Sequence, residues 1–231
     1  MMAPPDTRTA DTRTADTRTA GTRGSGTDGT RKMSMAAGER FDAAYYRRFY
    51  RNPRTRASDP AAAARLAGFI ASYANHLGIR VRRLVDVGCG TGDLLRALAR
   101  HWPSARADGV ELSAWACARY GWQQGSVVDF VRPEHYDLVV CTDVLQYLED
   151  RAAARAIANL CASSRALLYV GARTRRDVDE RADPARSDLS GHYRDVRWYR
   201  RRIAKTHLAL GGALFVRREL ELPTWELERP G

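Results

Sequence analysis

Leu84-Val85-Asp86-Val87-Gly88-Cys89-Gly90-Thr91-Gly92-Asp93 is the stretch whose reading decides the fold. Its apolar residues belong to a buried strand taken from Val81 to Val87. Glycines then stand at three alternate positions, where freedom to take positive φ lets the backbone turn sharply and approach a ligand. Leu94, Leu95, Leu98 and Trp102 follow at helical spacing, and Pro103 stops that helix. Strand, glycine loop and helix in direct succession form the first βα turn of an open α/β sheet. Such sheets bind ligands at the carboxyl ends of their strands.

Working outward, the same alternation continues. Ala107 to Leu112 reads as a second strand, and Ser113 caps a short helix to Tyr120. Gly125 to Phe130 holds a third strand or its end, and Tyr136 to Cys141 a fourth. A helix capped near Asp150 carries Ala153, Ala156, Ile157, Leu160 and Cys161 on one face, and Ala166 to Val170 is a fifth strand. Upstream, Asp59-Pro60 opens a helix as N-cap and N1. Its stripe is Leu66, Phe69, Ile70, Tyr73 and Leu77, and Gly78 ends it. Phe41, Tyr45, Tyr46, Phe49 and Tyr50 form either a packing helix or an aromatic lid. A helix resumes around Trp198, Tyr199 and Ile203. Gly211-Gly212 introduces a strand from Ala213 to Leu220, paired across Pro223 with residues 224–228 as an antiparallel hairpin. The fold class is therefore α/β: a Rossmann-like doubly wound sheet, mostly parallel, with a C-terminal antiparallel hairpin.

Residues 1–40 stand apart. Asp-Thr-Arg-Thr-Ala occurs at 6–10, 11–15 and 16–20, with almost no large apolar residue nearby. Such a segment cannot offset its ordering entropy and is expected to be disordered. Translation starting at Met33 or Met35 is the alternative. Residues 41–231 then form one domain: a helical cap at 41–80 and a sheet core at 81–231 with an excursion at 172–197.

Composition bounds the function. The 231 residues are 44% hydrophobic and 28% charged, an ordinary globular mix. No apolar run approaches the ~20 residues of a membrane span. The net charge of +11 invites a nucleic-acid partner. Yet 36 of the 38 basic residues are Arg, with Lys only at 32 and 205, a skew more typical of a GC-rich genome than of a phosphate-binding face. Cys89, Cys117, Cys141 and Cys161 lack zinc-ligand spacing and sit in or beside apolar segments. Reduced thiols, a cytoplasmic location and no metal are the expectation.

Glu111 ends the second strand, 19 residues after Gly92, where a carboxylate can accept from both hydroxyls of a ribose. A dinucleotide site would also have an acid there. Its loop, however, reads G-x-G-x-x-G; here the spacing is G-x-G-x-G, with Asp93 at the third fingerprint position. Asp86 and Asp93 would also repel a pyrophosphate. They would attract S-adenosylmethionine, which carries a sulfonium and an ammonium and no phosphate.

At residues 81–170 the sequence resembles the class I S-adenosylmethionine-dependent methyltransferases, with weaker likeness beyond. Val85 to Gly92 matches the family's first motif. The resemblance implies that Asp86, Gly88, Cys89, Gly90 and Gly92 surround the methionyl end of the cofactor. It implies Glu111 on the ribose and Leu112 beside the adenine. Ser126 stands where an acid is common, so the adenine contact is left among Ser126, Val127 and Asp129. Tyr136 to Leu148 resembles the fourth-strand motif, whose end, at Cys141, lines the cofactor and transfer site.

Methyl transfer is an in-line displacement with a good leaving group, so positioning supplies most of the catalysis. A base matters only where the acceptor must lose a proton. Candidates are Asp143 and Tyr147 at the fourth-strand end, and His192 in the excursion. The Asn/Asp-Pro-Pro-Tyr motif of adenine-N6 methyltransferases is absent, and no Pro-Cys dipeptide supplies a cytosine-C5 nucleophile. The resulting expectation is methylation of O, N or C on a small metabolite. An RNA or protein methyltransferase using the ten arginines of 172–202, and a non-catalytic cofactor-binding module, are the alternatives.

Overall fold

Two hydrophobic cores lie on opposite faces of one sheet, and strand β4 (Tyr136–Thr142) shows why its sequence is an unbroken apolar run. Val139 and Cys141 enter one core, Leu138 and Val140 the other. Successive side chains of a strand point to opposite faces, so a strand covered on both sides has no polar alternate. The computed structural model describes residues 39–56, 59–220, 222, 225 and 226.

The sheet has seven strands in the order β3-β2-β1-β4-β5-β7-β6. These are β1 (Arg83–Val87), β2 (Arg106–Glu111), β3 (Gln123–Gln124), β4, β5 (Ser164–Gly171), β6 (His207–Gly211) and β7 (Leu214–Arg217). β1 to β5 pair in parallel. β7 runs antiparallel to both β5 and β6. Helices are α1 (Ala43–Tyr46, continued by a π-helical turn Arg47–Arg51), α2 (Pro60–His76), α3 (Asp93–His101) and α4 (Ala114–Tyr120). α5 (Asp150–Ser163), α6 (Arg175–Arg181) and α7 (Val196–Ile203) follow. Ile70 of α2 with Leu95 and Leu98 of α3 covers one face, and Ile157 and Leu160 of α5 with Ile203 of α7 covers the other. The α/β class, the parallel sheet and the late antiparallel pair agree with the sequence reading.

Several expectations are corrected. Val127, Val128 and Phe130 are buried, but residues 125–130 form no strand; β3 is only Gln123–Gln124. The segment crosses the sheet edge as a turn, with the Asn159 side chain donating to the Val128 carbonyl at 2.7 Å. The hairpin turns at Gly211 and Gly212, with φ of +122° and +54°, so the glycine pair is the turn and not the approach to it. Residues 224 and 227–228 of the expected second arm lie outside the described residues, as does the 1–38 repeat segment. The buried face of α2 is Ala63, Ala67, Ile70, Ala71 and Ala74, while Phe69 stays 40% exposed. Small residues let α2 sit close, and the larger side chains border that contact. The predicted N-terminus is as read: Asp59 accepts from the Ala62 N–H at 2.8 Å.

One buried histidine makes stability depend on pH on the acid side. His207 is 0% exposed, its ring nitrogens 2.8 Å from Thr206 Oγ1 and 3.3 Å from Ser164 Oγ. Burial, reinforced by Arg217, pushes its pKa down from 6.5 to about 4. The unfolded chain binds a proton near 6.5 and the folded chain only near 4. The contribution of His207 is therefore fully present above pH 6.5 and is lost as pH falls toward 4, by roughly 3 kcal/mol. Asp86 titrates with the opposite sign in the same window, so the comparison is between proteins: the unfolding free energy of wild type relative to His207→Gln, from urea melts, should be larger at pH 7 than at pH 4.5 by most of that amount.

Candidate functional site

The chain runs β1, β2, β3 outward, then returns to place β4 on the other side of β1. A crevice opens at the carboxyl ends of β1 and β4, where the strand order reverses. Two cavities, of about 390 Å³ and 90 Å³, lie there. Tyr45, Tyr50, Gly88, Thr142, Asp143 and Tyr147 line both, so the two meet at these residues.

The glycine loop enters this crevice with φ of +84° at Gly88, +53° at Gly90 and +76° at Gly92. Gly88 and Gly92 are also demanded by packing. A Cβ on Gly88 would sit 2.2 Å from Val144 Cγ2, and one on Gly92 2.2 Å from Trp122 Cζ2. Gly92 lines neither cavity. The loop is pinned to β2: the Gly88 and Cys89 amides donate to the Val110 carbonyl at 2.7 and 3.1 Å.

Glu111 closes the loop from the other side. Its Oε2 accepts from the Gly90 N–H at 2.8 Å and its Oε1 from the Ser113 N–H at 2.9 Å. It is 6% exposed and lines the smaller cavity. Each carboxylate oxygen keeps further acceptor capacity, so ribose hydroxyls can add to these bonds. Leu112, Ser126 and Val127 line the same cavity; Asp129 does not, being exposed and ion-paired with Arg155.

Asp86 lines the larger cavity. It is 1% exposed, and its Oδ1 has no hydrogen-bond partner. Burial, with Glu111 nearby, raises its pKa from 3.8 to about 7. A buried carboxylate oxygen without a donor is costly, and a cationic ligand group would relieve it. This orphan oxygen and the free capacity of Glu111 fit a nucleoside bearing an ammonium group.

The aromatic segment forms a wall over the crevice. Asp42 caps α1 by accepting from Ala44 and Tyr45 amides, both at 2.9 Å. Tyr46 stacks on Trp115 with centroids 5.1 Å apart, and the Ser113 hydroxyl donates to the Phe41 carbonyl. This anchoring turns Tyr45 and Tyr50 into the cavities. Tyr45 and Tyr147 hydroxyls meet at 3.1 Å. Burial pushes both phenols above the ordinary tyrosine range, so they are neutral donors and not bases.

The remaining sequence candidates divide. Asp143 stands at the junction with φ of +56°, its Oδ1 3.2 Å from the Gln146 amide and 3.4 Å from Arg173 Nε. Cys89 lines the larger cavity, whereas Cys141 is fully buried and lines neither. His192 is exposed and lines neither; its amide donates to the Gln146 carbonyl at 2.6 Å. The sequence reading passed over Thr142, Tyr169, Arg173, Asp177 and Asp188, which line the larger cavity. Thr142 and Tyr169 lie on strands that were recognised, and the end of each strand was the available signal. The other three belong to the excursion, which carries no local mark of which side faces inward.

A doubly wound sheet with a glycine loop after its first strand and a buried acid at the end of the second defines the Rossmann-like class. The chain belongs to the methyltransferase-domain family, whose model matches residues 43–221. Magnesium protoporphyrin IX methyltransferase, a neighbour in fold, is solved with bound S-adenosylmethionine. A trans-aconitate 2-methyltransferase of Azoarcus sp. (strain BH72) is 33% identical over 76 residues, 30% of this chain and 30% of that protein. The chain thus spans about a third or less of the curated relatives it matches. Magnesium protoporphyrin IX methyltransferase from Synechocystis PCC 6803, solved with bound S-adenosylhomocysteine, shares 15% identity and a TM-score of 0.61 over 79% of this chain and 98% of that one. The sugar N-methyltransferase KedS8 from Streptoalloteichus sp ATCC 53650 shares 22% and 0.54 over 72% and 91%. These two likenesses establish the fold. Among the described residues, no helix is long and apolar enough to cross a membrane.

Proposed function

We propose that the protein transfers a methyl group from S-adenosylmethionine to a small molecule held in the 390 Å³ cavity. The observation that carries this is the pair of cavities sharing Gly88, Thr142, Asp143 and three tyrosines. The smaller would take the nucleoside, with Glu111 on the ribose and Leu112, Ser126 and Val127 around the base. Asp86 would hold the methionyl ammonium. The cofactor, when bound, supplies an electrophilic methyl on sulfonium.

The chain's own residues then bind and orient. Tyr45, Tyr50 and Tyr147 wall the junction and hold the acceptor in line with the methyl. Asp143 stands where an acceptor proton would leave. His192, outside both cavities, carries no step in this reading.

A volume of 390 Å³ lies in the range of small-molecule sites. The arginine-rich excursion is partly spent inside the molecule. Arg194 is 5% exposed and donates to Asp150 and to the carbonyls of Leu145, Leu148 and His192. Arg202 lies 3.6 Å from the Trp198 ring centroid. These groups are not available to phosphates.

The test is release of S-adenosylhomocysteine in the presence of fractionated small metabolites, against RNA and protein fractions as alternatives. Turnover confined to the small-molecule fractions is expected. Turnover with RNA or protein alone would replace this reading, and cofactor binding without turnover in any fraction would favour a non-catalytic module.

A further inference from the structure

We infer that the acceptor is an amine-bearing molecule and not a polycarboxylate. This rests on reading the larger cavity as the acceptor's. That cavity is walled by five aromatic rings, those of Tyr45, Phe49, Tyr50, Tyr147 and Tyr169. Apart from Asp86, which this reading gives to the methionyl ammonium, its charged lining is Asp93, Asp143, Asp177 and Asp188, against a single cation, Arg173. Aromatic faces and carboxylates both favour a cationic or hydrogen-donating guest.

The pairing of these acids gives the same sign. Asp188 meets Arg40 at 2.6 Å and Asp93 meets Arg96 at 2.8 Å, but neither arginine lines the cavity. The carboxylates stand in front and their cations behind. Arg173 is already 3.4 Å from Asp143. Asp177 closes the capping box of α6 through one oxygen, Oδ2, which accepts from the Thr174 amide and hydroxyl at 2.9 and 2.7 Å. Hydrogen bonds from Thr174 hold Asp177 ionised, below the ordinary carboxylate range. Asp188 is held below that range as well, by Ser190 and Arg40 against the opposing effect of burial. A tricarboxylate would face these charges with one arginine already engaged. An ammonium or amine would meet acceptors on several sides.

The transfer then balances simply. The ammonium form gives a proton to the Asp143 carboxylate. The nitrogen lone pair forms the bond to the methyl carbon as the carbon–sulfur bond breaks. The electron pair goes to sulfur, which becomes a neutral thioether, and Asp143 passes its proton to water.

Three probes sharing one ring test the charge preference: tyramine (cation), tyrosol (neutral) and 4-hydroxyphenylacetate (anion). Each is titrated calorimetrically into full-length protein saturated with S-adenosylhomocysteine. Tyramine is expected to bind at least tenfold more tightly than 4-hydroxyphenylacetate, with tyrosol between. Asp177→Asn should lower tyramine affinity severalfold and leave S-adenosylhomocysteine affinity unchanged. Equal or tighter binding of the anion, or no binding of any probe to the cofactor-loaded protein, overturns the inference and leaves the methyltransferase reading standing. Failure to bind S-adenosylhomocysteine at all would instead remove that reading.

Discussion

Glu111→Gln should lower S-adenosylmethionine affinity by about 100-fold, roughly 2.7 kcal/mol, and destabilise the ligand-free fold as well. The two effects have one origin. The carboxylate offers an acceptor to each of two buried amides, Gly90 through Oε2 and Ser113 through Oε1. Glutamine has one oxygen. Whichever way its amide turns, an NH2 faces one of those N–H groups, and a buried donor loses its partner at about 1–3 kcal/mol. If the Gly90 amide is the loser, the loop that carries the cofactor loses one of its ties to β2. If it is Ser113, the cap of α4 and the hydroxyl that holds the Phe41 carbonyl are disturbed. The ribose hydroxyls lose charge-assisted bonds in either case. Calorimetric titration with S-adenosylhomocysteine reads the first effect and a urea melt the second. Affinity within threefold of the wild type, with the fold intact, would show that Glu111 only braces the loop.

The loop and its acid were legible because their determinants are local. A strand, glycines at fixed intervals and a carboxylate at the next strand's end need no distant partner to be recognised. Asp59-Pro60 and Ser113 were readable for the same reason, since a cap bonds within three residues. What failed was long-range. Tyr45 and Tyr147 touch across 102 positions, so the sequence left open whether the aromatic cluster packs or covers. It does both: Tyr46 and Phe49 are buried in the core, and they border the cavities together with Tyr45 and Tyr50. Arg194 lies in the 172–197 excursion, a stretch rich in charge, yet it is buried and satisfied by four separate acceptors. Residues 125–130 have the composition of a strand without forming one. Burial selects apolar side chains whether the backbone pairs with a neighbour or turns beneath a helix.

The second large effect concerns Asp86 and pH. In the ligand-free fold its pKa is raised to about 7, chiefly by burial. The unfolded chain loses that proton near 3.8, so the folded state binds more protons between the two values. Stability therefore falls as pH rises from about 4 to about 7, by an upper limit of roughly 4 kcal/mol. Asp86→Asn removes the titration and should stabilise the ligand-free protein at pH 8, an unusual gain for a change inside a binding site. Cofactor binding reverses the sign. The methionyl ammonium needs the ionised carboxylate, so wild-type affinity should climb as pH rises from 6 to 7.5. It should decline again once the cofactor's own α-amino group, ordinarily near ~7.7–8.0, loses its proton. With Asn at 86 the rise through pH 7 should vanish, and affinity at pH 7.5 should fall on the order of 30-fold for loss of one buried charge-assisted bond. Melting curves and S-adenosylmethionine titrations at pH 6, 7.5 and 8.5 separate the two halves. A variant that is destabilised at pH 8, or that keeps the wild-type climb in affinity, would place the ammonium elsewhere in the crevice.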